Sequence, residues 1–155
     1  MPESRQFCTL YLAEHRFGVP VERVQEVIAA QTMTPVPLAH PVIGGLINLR
    51  GQIVTAIDLR ARLDFDARLD DTVPMNVVVQ TPTGVVSLLV DGIGDVVDVE
   101  ETIYEQPPET LTGVAKELIL GVYKFDGHLV LELDVDAAVD VESDARNATD
   151  VVGVA

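Results

Sequence analysis

The sequence predicts an all-β protein of two small packed β-barrels, built from one unit used twice, with short helices between strands. Three observations carry this. The chain reads as short Val-, Leu- and Ile-rich runs separated by turns that carry Gly, Pro and Asp. Segments of its first half lie on segments of its second in the same order. There is no Trp and aromatic residues are 5% of the chain, so the core must come from branched aliphatic residues, which suit pleated surfaces.

The elements follow in order. Phe7 to Leu12 reads as a strand, the polar stretch from Ala13 to Arg16 as a turn, and Phe17 to Val19 as the start of the return strand. In the next stretch Val21, Val24 and Ile28 have helical spacing while Val27-Ile28 suits a strand, which predicts one helical turn running into a strand. Thr34-Pro35-Val36-Pro37 and Pro41 force an extended loop. From Ile43 to Leu59 the pattern is a hairpin with its tight turn at Arg50-Gly51. The charged stretch from Arg60 to Asp71 reads as a surface connection with a short helical turn. Met75 to Thr81 and Val85 to Val90 form a second opening hairpin about Pro82-Thr83-Gly84. A loop with Pro107-Pro108 leads to a last hairpin, Ile119 to Leu133, turning at Asp126-Gly127, a strong hairpin signal. Asp134 to Val139 reads as a closing helix, and residues 141–155 as a loose tail.

Residues 6–28 lie on residues 75–97 without a gap, and residues 43–63 on residues 119–139. In the second match Gly45 meets Gly121, Gly51 meets Gly127, Asp58 meets Asp134 and Ala61 meets Ala137. The repeat units are therefore 6–63 and 75–139, within a single domain over 6–140. Each unit carries about five short strands, and rolling such a sheet into a barrel removes most of its exposed edge. Two barrels packed together would bury the runs that are apolar on both faces, and the groove where they meet is the natural seat for a partner.

The formal charge of −15 opposes both nucleic acid and anionic lipid, so neither is an expected partner. The first residues lack a secretory pattern, and no apolar run approaches the roughly 20 residues that span a bilayer, so a cytoplasmic protein without membrane insertion is expected. The single Cys8 excludes an internal disulfide and sits in a strand, where it reads as a small buried apolar residue. His15, His40 and His128 fall in predicted turns and lack the spaced pairs of a zinc site, so they read as solvated. Carboxylate pairs such as Asp70-Asp71 and Glu100-Glu101 sit in charged loops. No catalytic constellation, metal site or cofactor motif emerges, and the protein reads as a non-catalytic binding module. Its distinctive residue is Arg50, at the tip of an apolar ribbon; the matching position is Asp126, so the fold does not demand Arg there.

Asn48-Leu49-Arg50-Gly51-Gln52-Ile53-Val54 followed by Ile57-Asp58-Leu59-Arg60 resembles the signature of the CheW-like domains of chemotaxis coupling proteins. So do Val24-Gln25-Glu26-Val27 upstream and the segment from Leu89 to Val96 downstream, and the resemblance runs from Phe7 to about Val139. It implies two five-stranded SH3-like barrels. It also implies a cytoplasmic, non-enzymatic adaptor joining the tips of methyl-accepting chemoreceptors to the regulatory domain of the histidine kinase CheA in membrane-associated arrays. Arg50 matches the signature arginine and Glu26 the acidic residue after Val-Gln; the two are expected to form a partly exposed clasp beside the binding groove. Val24 and Gly45 match partner-binding positions, although the pairing of Gly45 with Gly121 equally supports a backbone requirement. Val27, Ile43 and Leu46 are assigned to the apolar lining. Two alternatives stand beside this reading: a CheW-like adaptor of another receptor–kinase pathway such as surface motility, and a small-ligand or metal-binding barrel enzyme.

Overall fold

A computed structural model describes residues 4–29, 31–67, 73–100, 107–109 and 111–140. Its strands are β1 (Ser4–Leu12), β2 (His15–Pro20), β3 (Val24–Ile28), β4 (Ile43–Leu49), β5 (Gln52–Asp58), β6 (Met75–Thr81), β7 (Gly84–Val90), β8 (Gly92–Glu100), β9 (Ile119–Phe125) and β10 (His128–Leu133). A 3-10 turn, Val21–Arg23, leads into β3, the helical turn running into a strand that the spacing predicts. Three short helices complete the fold: α1 (Leu59–Arg62), α2 (Gly113–Glu117) and α3 (Val135–Val139). Of these, α2 has no counterpart in the sequence reading, which treats its residues as loop. The predicted tail, 141–155, the sites Asp70-Asp71 and the partner carboxylate Glu101 lie outside the described residues.

The strands form two five-stranded sheets, ordered β8-β1-β2-β10-β9 and β3-β6-β7-β5-β4. The fold class is the one expected, but the sheets are not the repeat units. Each sheet takes the opening hairpin of one unit and three strands of the other: β1 and β2 join β8, β9 and β10, while β6 and β7 join β3, β4 and β5. The sequence could not show this, because hydrophobic alternation sets which face of a strand is buried, not which distant strand it pairs with. The exchange is joined by two short parallel contacts, β2 with β10 at Phe17 and Leu131, and β5 with β7 from Thr55–Val86 to Asp58–Leu89. All other strand pairs are antiparallel.

Burial explains the continuous apolar runs. Each sheet curls round its own small interior: Phe7, Val97, Val99 and Tyr123 in the first, Ile47, Leu49, Val54, Ala56, Val78 and Leu89 in the second. The alternate faces of the same strands meet in one large shared core, with Leu10, Phe17 and Leu131 from the first sheet against Ile57, Val77, Val79 and Leu88 from the second. Strands β1, β5, β6 and β7 thus present apolar side chains on both faces, as period-2 geometry requires. Glu132, a buried carboxylate at 4% exposure, is paired with Arg5 and hydrogen-bonded by the Tyr123 hydroxyl at 3.3 Å.

The two sheets are also joined by arginines from α1. Arg62 donates from Nε to the Ala138 carbonyl and from Nη2 to the Ala137 carbonyl, both at 2.9 Å, at the end of α3. Such donation suits the orphan carbonyls at a helix C-terminus.

Candidate functional site

The site grows from the β4–β5 hairpin. Arg50 and Gly51 both have positive φ, 51° and 89°, the pair of values a two-residue type I′ turn requires. Asp126 and Gly127 do the same in the second hairpin, at 50° and 78°. Asp tolerates this left-handed conformation because its short side chain can bond locally, whereas Arg there carries a strain of about 1–2 kcal/mol. Asn48 offsets part of that strain: its Oδ1 accepts the Gly51 N–H at 2.8 Å. The turn is thus built to present a guanidinium where the fold alone would place Asp or Asn.

Arg50 reaches the other edge of its sheet. Strands β3 and β4 are the two outer strands, and Arg50 Nη2 donates to Glu26 Oε2 on β3. The Arg50 side chain is 73% exposed and that of Glu26 21%, so the pair closes the seam while leaving most of the guanidinium facing outward. This is the clasp expected from the sequence. An ion pair so exposed adds about 0–1 kcal/mol to stability.

The remaining candidates fall into different places. Thr34 and Leu46 exchange two backbone hydrogen bonds of 2.9 Å, covering the free edge of β4. Gly45, beside this bridge, is buried at φ 153°, and a Cβ there would lie 2.8 Å from the Thr34 carbonyl oxygen. The close approach of two backbones therefore demands glycine at this position. Val24 is half-buried against the shared core. Val27 stands on β3 at 39% exposure, and Leu46 is half-buried on β4. Ile43 lines a separate cleft of about 570 Å³ with Thr55, Val86 and Val139.

Among exposed apolar residues that the sequence did not single out are Ile53 and Leu38. Ile53, cross-strand from Asn48 and 62% exposed, lies next to the Arg50 turn. Its signal is alternation: Val54 and Ala56 point inward, which turns Ile53 out. Leu38, in the proline loop, is fully exposed at φ 64°. His15 corrects the reading of solvated histidines. Its side chain is only 10% exposed, stacked on Phe65 at 5.7 Å and edge-on to Phe17 at 6.2 Å, because β2 begins at His15 and turns it inward. His40 accepts the Val42 N–H at 3.2 Å, and His128 is exposed. Cys8 is buried, and burial raises its thiol pKa.

The arrangement offers recognition chemistry. An outward guanidinium supplies planar donors for carboxylates or backbone carbonyls, and Ile53, next to the turn, supplies exposed apolar surface. Among the described residues no group of three or more His, Cys, Asp or Glu could hold a metal ion.

The family described as the CheW-like domain matches residues 6–143 of this chain. The chemotaxis protein CheW of Bacillus subtilis is 30% identical over 128 residues, covering 82% of this chain and 81% of that protein. The chemotaxis protein CheW of Treponema pallidum is 28% identical over 137 residues, covering 86% of this chain and 81% of that protein. Among solved structures, the scaffolding protein TtCheW from Thermoanaerobacter tengcongensis superposes with a TM-score of 0.77 at 26% identity, covering 90% of this chain and 94% of that one.

Proposed function

We propose that this chain, which belongs to the CheW-like domain family, couples methyl-accepting chemoreceptors to the histidine kinase CheA in chemotaxis signalling. As a member of that family it is a non-catalytic scaffold. The observation that carries the finer reading is the Arg50 turn. A strained left-handed arginine, held by Asn48 and clasped to Glu26, keeps its donors outward beside exposed Ile53. That is the composition of a protein-recognition patch, with Arg as its anchor. Val24 and Gly45 support the patch, the first from the shared core and the second by fixing the β4 edge.

In this reading the CheA regulatory domain and the cytoplasmic tip of a receptor are the two partners. The protein works in the cytoplasm, held at membrane arrays through them. Among the described residues no helix is long and apolar enough to cross a membrane. Mixing the intact protein with a CheA regulatory domain and a receptor signalling fragment, followed by size-exclusion chromatography, is expected to give a complex containing all three. If the intact protein binds neither, the reading is wrong.

A further inference from the structure

The chain crosses between the two sheets twice among its described elements, from β2 to β3 through the 3-10 turn and from β7 to β8 through Asp91. A helix of the opposite repeat unit grips each crossing. At the second, Arg60 of α1 donates to Asp91 from Nε at 2.8 Å and from Nη2 at 2.5 Å, and Asp91 also accepts the Ala13 N–H at 2.8 Å. At the first, Asp136 of α3 accepts from Arg23 Nη2, while Arg23 Nε donates to the Gln80 carbonyl at 3.0 Å. Asp58 matches Asp134 in the repeat, so Arg60 matches Asp136, whereas Asp91 matches Glu22, the neighbour of Arg23: the helix partners are counterparts of opposite charge, and the crossing partners lie one position apart.

The clasps are not equally secure. The Arg60 and Asp91 side chains are 17% and 23% exposed, those of Arg23 and Asp136 30% and 51%. The more exposed clasp holds an element with little support of its own. No residue of the 3-10 turn is buried, its N-terminus has no side-chain cap, and β3 has a register shift between Val24 and Glu26. Arg23 and its anchors thus stand directly before β3, which carries Val24, Glu26 and Val27.

We propose that Arg23 and Asp136 are positioning residues whose ion pair, made with α3 of the other repeat unit, sets β3 and with it Glu26 opposite Arg50. The effect on partner binding rests on the adaptor reading; the effect on β3 does not. The test uses the full chain with Arg23→Asp, Asp136→Arg and the double exchange, which restores the original net charge. Each single variant is expected to speed hydrogen exchange of the Val24–Ile28 amides about three- to fivefold. Each also weakens binding to the CheA regulatory domain by a similar factor, while the β1 and β10 amides keep their protection. The double exchange is expected to recover both. Unchanged β3 exchange in the single variants, or no recovery in the double, overturns the proposal. Should a single charge reversal fail to fold, Arg23→Gln and Asp136→Asn are read in the same way. If the unaltered chain binds no kinase domain, the adaptor reading fails and the exchange measurements still decide the clasp.

Discussion

Arg50 occupies a backbone conformation that suits Asn, Asp or Gly, and the molecule keeps it there with one side-chain bond and one ion pair. Relief of strain and loss of an exposed pair are of similar size. Arg50→Asn is therefore expected to leave the unfolding free energy measured in urea unchanged or raised by up to about 1 kcal/mol. Under the adaptor reading, binding to a CheA regulatory domain should nevertheless fall about tenfold or more, as for a central arginine anchor. A clear loss of stability would instead make Arg50 a structural residue. Gly45→Ala behaves in the opposite way. Its positive φ and the 2.8 Å approach to the Thr34 carbonyl predict a loss of about 1–3 kcal/mol in chemical denaturation. Tyr123 links stability to alkaline pH. Burial, then the charge of Glu132, hold its phenol neutral above the ordinary value of about 10, although Arg5 pulls the other way. A raised folded-state pKa means its contribution to stability is complete below about pH 10 and declines as pH rises through the folded value. A thermal denaturation series across this range should show the decline, and Tyr123→Phe should flatten it.

At the scale of elements, the two units use one device at equivalent places. Asp58 caps α1 by accepting the Arg60 N–H at 3.1 Å, and Asp134 caps α3 by accepting the Ala137 N–H at 3.2 Å. Asp58→Ala and Asp134→Ala are each expected to cost about 1 kcal/mol, the usual loss for a removed N-cap. A much larger effect of one would show that its aspartate does more than cap. The match of Asp58 with Asp134 was legible in the sequence because the repeat doubled it, but that both cap helices was seen only in the structure. Hairpin turns at Arg50-Gly51 and Asp126-Gly127 were legible for the same reason. Helix α2 was not: it is one short turn, its N-cap Thr112 makes no side-chain cap bond, and only Ala115 among its residues is buried. The inward turn of His15 was hidden too, because Phe65, which covers it, lies 50 residues away in the chain.

For the whole molecule, exchange of hairpins makes each sheet depend on both halves. Neither half carries a complete sheet, and the large shared core draws on both. Fragments cut within residues 68–72 are expected to lack strand signal by circular dichroism when separate and to regain it when mixed. A half that folds alone as a stable monomer would contradict the exchanged topology. The Arg60–Asp91 pair belongs to this scale because it ties α1 to the crossing between sheets.

By itself the sequence determined the fold class, most of the strands and turns though not β8, and the likeness of the Arg50 segment to CheW-like domains. These are encoded in local periodicity, in turn chemistry and in the order of similar segments. Only the tertiary structure decided which hairpin belongs to which sheet, that Gly45 is required by the Thr34 backbone, and that Arg23 meets Asp136 across 113 residues. Pairing between distant strands depends on closing long loops and on filling shared volume, and neither is written in the pattern of any one segment.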